Sequence, residues 1–264
     1  MSPAPIATPR SAEHVAGMVR VAPAADLSDV VEQHWIVTWD RRGCPPLRQE
    51  VLPDPCVNLS VEPAGRLLYG VGSGHSRHEL AGRGMVIGTK FRPGGFSGFR
   101  REPVSALRGQ VLTLPEAFGA EGETLDQVLA AAGDVSAVIA AVTAFLRVRR
   151  PAPDPQRTLT MRIVEAMRVA AVGTSVSDLA AEFALSPRTL QRLFADHVGT
   201  SPKQVLQRFR RQQAADLLTY ENDVSLARIA AELGYFDQAH LARDFRTKLG
   251  RSPSAVQRAS AQGA

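Results

Sequence analysis

Arg188, Gln191 and Arg192 stand at i, i+3 and i+4, a spacing that places three hydrogen-bonding side chains on one face of a helix. Arginine can donate to guanine O6 and N7, and glutamine can pair with adenine N6 and N7. Thr189 falls near the start of the same helix, where backbone N–H groups and the dipole favour a phosphate. Further along, Gln238, Ala239, His240, Ala242 and Arg243 form the corresponding front. Its two alanines can touch a thymine methyl but cannot make a hydrogen bond. The chemistry these residues suit is recognition of base edges in the major groove, more stringent in the first set. Arg208, Arg210, Arg211, Lys203, Arg246, Lys248 and Arg251, together with Thr189 and His240, are the candidates for phosphate contacts.

The elements that must position these side chains repeat. Ser175, Ala180, Ala181 and Glu182 recur at Ser225, Ala230, Ala231 and Glu232, a shift of 50. One residue is then inserted. Leu190, Arg192, Phe194, Gly199, Ser201, Pro202 and Val205 recur at a shift of 51 as Leu241, Arg243, Phe245, Gly250, Ser252, Pro253 and Val256. Ser175 is placed to cap a helix, with Asp178 closing a capping box. Ala184-Leu-Ser is the turn, and Ser186-Pro187 starts the next helix. The second copy has Ser225 as cap, Gly234-Tyr-Phe as turn and Asp237 as the next cap. Leu190, Leu193, Phe194 and Val198 should be buried in the first copy, and Leu226, Ile229, Leu233, Leu241, Phe245 and Leu249 in the second. A helix over about Gln156–Ala171 precedes the pair, and one over Pro202–Thr219 joins the copies. Its 18 residues span roughly 27 Å, enough to hold two recognition helices about one DNA turn, roughly 34 Å, apart.

The first half reads differently. Short strand-like segments fall at His34–Trp39, Arg48–Leu52, Val57–Val61, Leu67–Val71 and Met85–Phe91, separated by Gly and Pro clusters. Helical patterns follow at Val104–Arg108, Thr124–Ala132 and Val135–Arg149. Three prolines in Pro151-Ala-Pro-Asp-Pro cannot continue a helix and mark the boundary. The expected class is α+β: a barrel- or sandwich-like β-rich domain with following helices over residues 1–150, a linker at 151–155, and an all-α domain of two helix-turn-helix units over 156–264. The basic run Arg147-Val-Arg-Arg is read as a solvated helix end. Aromatics make up only 6% of the chain, so Trp35, Trp39, Tyr69, Phe91, Phe96 and Phe99 in the β-rich half are candidates for an apolar effector cavity, or for core.

Composition narrows the function classes. The apolar fraction of 44% and charged fraction of 22% are those of a globular protein. No apolar run is long enough for a membrane span, and the N-terminus lacks signal-peptide character, so a cytoplasmic location is expected. From Gln156 onward there are 15 Lys and Arg against 10 Asp and Glu; the first 155 residues hold 16 of each. The whole excess of +5 therefore lies in the half that carries the repeat, as phosphate binding requires. Cys44 and Cys56 are too few for a zinc framework or a disulfide scaffold. His75, His78 and Glu79 invite a metal, but their spacing does not put three ligands on one strand face. Gly70-Val-Gly-Ser-Gly lacks the Lys and helix of a phosphate loop. No catalytic set stands out, so neither an enzyme nor a cofactor is called for. A metal-dependent cupin-like enzyme fused to a DNA-targeting module is the alternative.

Residues 156–258 resemble the DNA-binding domain of the AraC/XylS family of bacterial transcription regulators. The most specific stretch runs from Gly234-Tyr-Phe-Asp-Gln-Ala-His-Leu-Ala-Arg-Asp-Phe through Gly250-Arg-Ser-Pro. The resemblance implies two helix-turn-helix units on adjacent major grooves of one DNA face. It puts the base-facing positions on Arg188, Gln191 and Arg192, then on Gln238, Ala239, Ala242 and Arg243. Double-stranded DNA is the implied partner, with RNA polymerase and a second copy of the chain as further ones. The β-rich half resembles the sensor domains that precede such units, which implies control by a small-molecule effector or dimerisation.

Overall fold

The computed structural model describes residues 17–51, 55–72, 76–170, 173–220, 225–232, 234–249 and 252–254. Among the described residues of the first half there are eight strands: β1 (Met18–Val21), β2 (Val31–Arg41), β3 (Leu47–Val51), β4 (Asn58–Glu62), β5 (Gly65–Tyr69), β6 (Ser76–Leu80), β7 (Gly82–Phe91) and β8 (Val111–Thr113). Six form one antiparallel sheet in the order β1-β2-β7-β4-β5-β8, and β3 pairs with β6 alone. The larger sheet is open, with β1 and β8 at its edges. The period of two along each strand gives it two distinct faces.

One face is the main core. Ile36, Leu59, Leu68 and Ile87 are buried there with Phe91, Phe96 and Phe99. Three helices contribute to the same cluster: α1 (Leu114–Phe118), α2 (Ala120–Ala131) and α3 (Val135–Val148). Thr113 starts α1 through a complete capping box with Glu116, and Asp134 caps α3 through Ala137 N at 2.8 Å. On the opposite face Trp35 lies across Gly88 and Trp39 across Gly84, pairs fixed by the β2–β7 register. A Cβ at either glycine would run into the facing indole. Trp39 Nε1 also donates to the Ala81 carbonyl at 3.1 Å.

The second half is helical: α4 (Pro155–Val169), α5 (Val176–Glu182), α6 (Pro187–His197), α7 (Pro202–Tyr220), α8 (Leu226–Glu232) and α9 (Gln238–Leu249). It has two cores. Ile163, Val164, Met167, Leu179, Leu190, Phe194, Val205 and Leu206 form one; Ala214, Leu218, Ile229, Ala230, Leu241 and Phe245 form the other. The long α7 supplies residues to both, its first half to one and its second half to the other. No helix among the described residues is long and apolar enough to cross a membrane.

Candidate nucleic-acid interface

Each copy of the repeat folds from local signals. Ser175 Oγ accepts from Asp178 N at 3.1 Å, and the Asp178 carboxylate accepts from Ser175 N at 2.7 Å. The Ser175 backbone N–H, and then its hydroxyl, hold the Asp178 carboxyl below its ordinary value. After α5 the chain turns at Ala184, whose φ is +52°. Leu185 N donates to Ala180 O at 2.8 Å and Ala184 N to Ala181 O at 3.0 Å, the paired bonds of a Schellman turn. Ser186 then caps α6 by accepting from Thr189 N at 3.1 Å. In the second copy Ser225 Oγ accepts from Arg228 N at 3.2 Å. The turn falls on Gly234, with φ +69°, and Tyr235 N donates to Ala230 O at 2.9 Å. Asp237 caps α9 by accepting from His240 N at 2.6 Å.

These caps and turns leave one face of α6 and one of α9 outward. Leu190, Leu193 and Phe194 are buried, while Arg188, Gln191 and Arg192 are exposed. Leu241 and Phe245 are buried, while Gln238, Ala239, His240 and Arg243 are exposed and Ala242 is half-buried. The predicted fronts are thus brought together on their helices as the spacing required. Leu233 lies outside the described residues.

The phosphate candidates divide. Lys203 and Arg246 are exposed. Thr189 is half-buried, its hydroxyl 2.8 Å from Ser186 Oγ and so engaged in the cap. The arginines of α7 have partners within the protein. Arg211 is buried, Arg208 donates to Gln212 Oε1 at 2.9 Å, and Arg210 reaches the Thr174 carbonyl at 2.7 Å. Arg208 and Arg210 are half-buried, and the Arg210 bond ties α7 to the residue before the α5 cap. The side chain of Lys248, and Arg251 altogether, lie outside the described residues.

The effector-pocket candidates are not brought together either. Phe91, Phe96 and Phe99 are core residues in edge-on and stacked contact, with the Phe91 and Phe96 centroids 4.9 Å apart. Trp35 and Trp39 lie across the sheet on the other face. Tyr69 donates to Glu62 Oε1 at 2.5 Å, and burial, then that carboxylate, raises its phenol. The split follows from strand parity: Phe91 belongs to the core face, whereas the tryptophans pair with Gly88 and Gly84. Among the described residues no group of three or more His, Cys, Asp and Glu could hold a metal; His75 lies outside them. In the basic run, Arg147 pairs with Asp26 at 2.7 Å and Arg150 with Asp29 at 2.8 Å, while Arg149 pairs with Glu121.

The loop after β7 and the 3₁₀ turn Val104–Leu107 press on the C-terminal end of α6. Ser97 Oγ and His197 Nδ1 are 2.7 Å apart. Arg157 Nη1 donates to Ser97 O at 3.1 Å, and Arg108 donates twice to Gly199 O, at 3.1 and 3.2 Å. Gly199 has φ +85°, and a Cβ there would meet Val104. Burial pushes the His197 imidazole below its ordinary value. The sequence offered one signal, the glycine that ends α6, but nothing in it says what approaches that glycine.

The geometry defines a pair of helix-turn-helix units sharing a rigid central helix. Comparison with known proteins agrees. Residues 179–259 match a family described as a helix-turn-helix domain, and residues 19–113 match a domain of unknown function. The chain is 33% identical over 104 residues to the uncharacterized HTH-type transcriptional regulator YidL of Escherichia coli strain K12, covering 39% of this chain and 35% of that one. It is 38% identical over 78 residues to the HTH-type transcriptional activator RhaS of Escherichia fergusonii, covering 30% and 28%. Among solved structures, the DNA-binding domain of AdpA in complex with a target DNA aligns at 32% identity and a TM-score of 0.34, over 40% of this chain and 93% of that one. The chain spans about a third of the length of the curated relatives it matches. Its C-terminal part is a helix-turn-helix domain similar to those of HTH-type transcription regulators, in keeping with the resemblance of residues 156–258 to the AraC/XylS family.

Proposed function

We propose that this chain is a sequence-specific DNA-binding transcription regulator, with a β-rich control part over residues 1–150, a linker at 151–155 and a DNA-binding part over 156–264. The observation that carries this reading is the pair of capped recognition helices with outward polar fronts on one shared helix. At 19 residues, α7 is about 28 Å long, matched to readers about one DNA turn apart. Arg188, Gln191 and Arg192 read bases from α6; Gln238, Ala239, Ala242 and Arg243 do so from α9. Lys203, His240 and Arg246 are exposed and lead the proposed phosphate contacts, with Thr189, Arg208, Arg210, Arg211, Lys248 and Arg251 as the further candidates.

Effector control is the role proposed for the β-rich part. Its support is the contact of Ser97, Arg108 and Val104 with the end of α6, through which a change in the β-rich part would reach the first reader. A small molecule on that part, a second copy of the chain and RNA polymerase complete the proposed partners.

Selection of bound duplexes from a random pool by the full chain tests the reading. Enrichment of a two-part sequence, with affinity that falls steeply as salt rises, is expected. Uniform weak binding with no preferred sequence would refute it.

A further inference from the structure

The two readers differ in length by one residue, and the structure locates it. Ala184 and Gly234 occupy the same left-handed turn position, a shift of 50, and Leu185 and Tyr235 make the same turn bond. The next caps are Ser186 and Asp237, a shift of 51. The inserted residue is therefore Phe236. Its side chain is 91% exposed, the most exposed of the large apolar residues described.

Past the caps the shift stays at 51, so Ala239 stands where the first reader has Arg188, and Ala242 where it has Gln191. Arg243 keeps the place of Arg192. Phe236, Ala239 and Ala242 are spaced by three and run from the turn along one flank of α9, the first two exposed and Ala242 half-buried. Leu241 and Phe245 anchor the opposite side of that helix. The result is an apolar strip on a helix whose exposed neighbours are Gln238, Arg243 and Arg246. A lone apolar strip suits many occupants. One flanked by outward arginines, in the second of two paired readers, suits an anionic polymer with apolar groups in its groove. In the major groove the apolar group on offer is the C5-methyl of thymine.

We infer that the second unit reads thymine methyls, through Phe236, Ala239 and Ala242, where the first unit reads hydrogen-bonding edges. This rests on the proposed DNA-binding function. Arg243 sets the register beside the methyls by pairing with a purine acceptor. Phe236 reaches further than either alanine and sits before the helix, so it addresses the thymine at the edge of that half-site.

The test uses the full chain and a duplex selected from a random pool. The half-site belonging to each reader is assigned with Arg192→Ala, which should relax only the first. Thymidines are then replaced by deoxyuridine, which removes the methyl and keeps every hydrogen bond. Binding should weaken about fourfold for each contacted methyl removed from the second half-site, from the transfer free energy of one methyl. Replacement in the first half-site should have much less effect. With Phe236→Ala the thymidine-to-deoxyuridine ratio at one position should fall toward unity. Absence of any selected sequence would remove the DNA-binding reading and the inference with it. A selected sequence equally tolerant of deoxyuridine in both halves would overturn the inference alone. So would a Phe236→Ala protein that keeps the full ratio, as expected if Phe236 instead meets a protein.

Discussion

The turn of the first unit holds an alanine where the second holds a glycine, and this can be tested quantitatively. Ala184 has φ +52° and Gly234 has φ +69°, and both make the bonds of the same turn. An L-residue in the left-handed region carries a penalty of about 1–2 kcal/mol, because its Cβ crowds the following carbonyl. Glycine escapes that penalty but loses about 0.5–1 kcal/mol more conformational entropy on folding. The balance predicts that Ala184→Gly stabilises the protein by about 0.5–1 kcal/mol, and that Gly234→Ala destabilises it by a similar amount. For a chain of this size the first change should raise the thermal midpoint by about 1–3 °C. Urea unfolding of the full chain, followed by helical circular dichroism, measures both. The midpoints should move in opposite directions at unchanged slope. If Ala184→Gly instead lowers the midpoint, the turn strain is not the dominant contribution and the equivalence of the two turns fails.

Other outcomes follow from contacts already described. Arg210→Ala should lower stability by about 1–2 kcal/mol through loss of the charged bond to the Thr174 carbonyl, seen in denaturant melts; a uniform loss of DNA affinity at unchanged stability would place Arg210 in the phosphate set. Gly88→Ala should cost about 1–3 kcal/mol, because the new methyl displaces Trp35, with a shift in tryptophan emission as readout. His197 is held neutral by burial beside Ser97, with Arg157 opposing protonation and Asp154 and Asp196 favouring it. Its folded-state pKa lies below the unfolded value of about 6.5, so its contribution is present above that pH and is lost as pH falls through the folded value. Replacing His197 with Gln should flatten the difference in melting temperature between pH 7.5 and pH 5.

Local signals were legible and long-range ones were not. Ser175, Asp178, Ser186 and Asp237 act within four residues of themselves, and each caps the helix that spacing assigned to it. The strand β8 has three residues, too few for a period to show, and β6, polar at Arg77, His78 and Glu79, is fixed as a strand only by its pairing with β3. Whether the aromatics line a cavity or join the core is not legible, because sequence does not reveal which strand lies beside which. A clue existed: Trp35 and Trp39 are four apart, as are Gly84 and Gly88, and antiparallel pairing sets each indole on a glycine. The arginines of α7 look like a free basic face because periodicity cannot show which of them the fold engages, as it does Arg210 through the Thr174 carbonyl. The contact of His197 with Ser97 joins residues 100 apart in the chain and has no local signature.

The sharing of α7 between two cores has an evolutionary consequence. Adding one residue to that helix would turn everything beyond it by about 100° and advance it about 1.5 Å. One added base pair turns DNA by only about 34° and advances it about 3.4 Å. No small number of base pairs matches a single inserted residue in both rotation and rise. Under the proposed function, the helix and the spacing of its target cannot drift together in single steps. Insertions should therefore collect in the loops and leave α7 at constant length, while target preference diversifies through substitutions on α6 and α9.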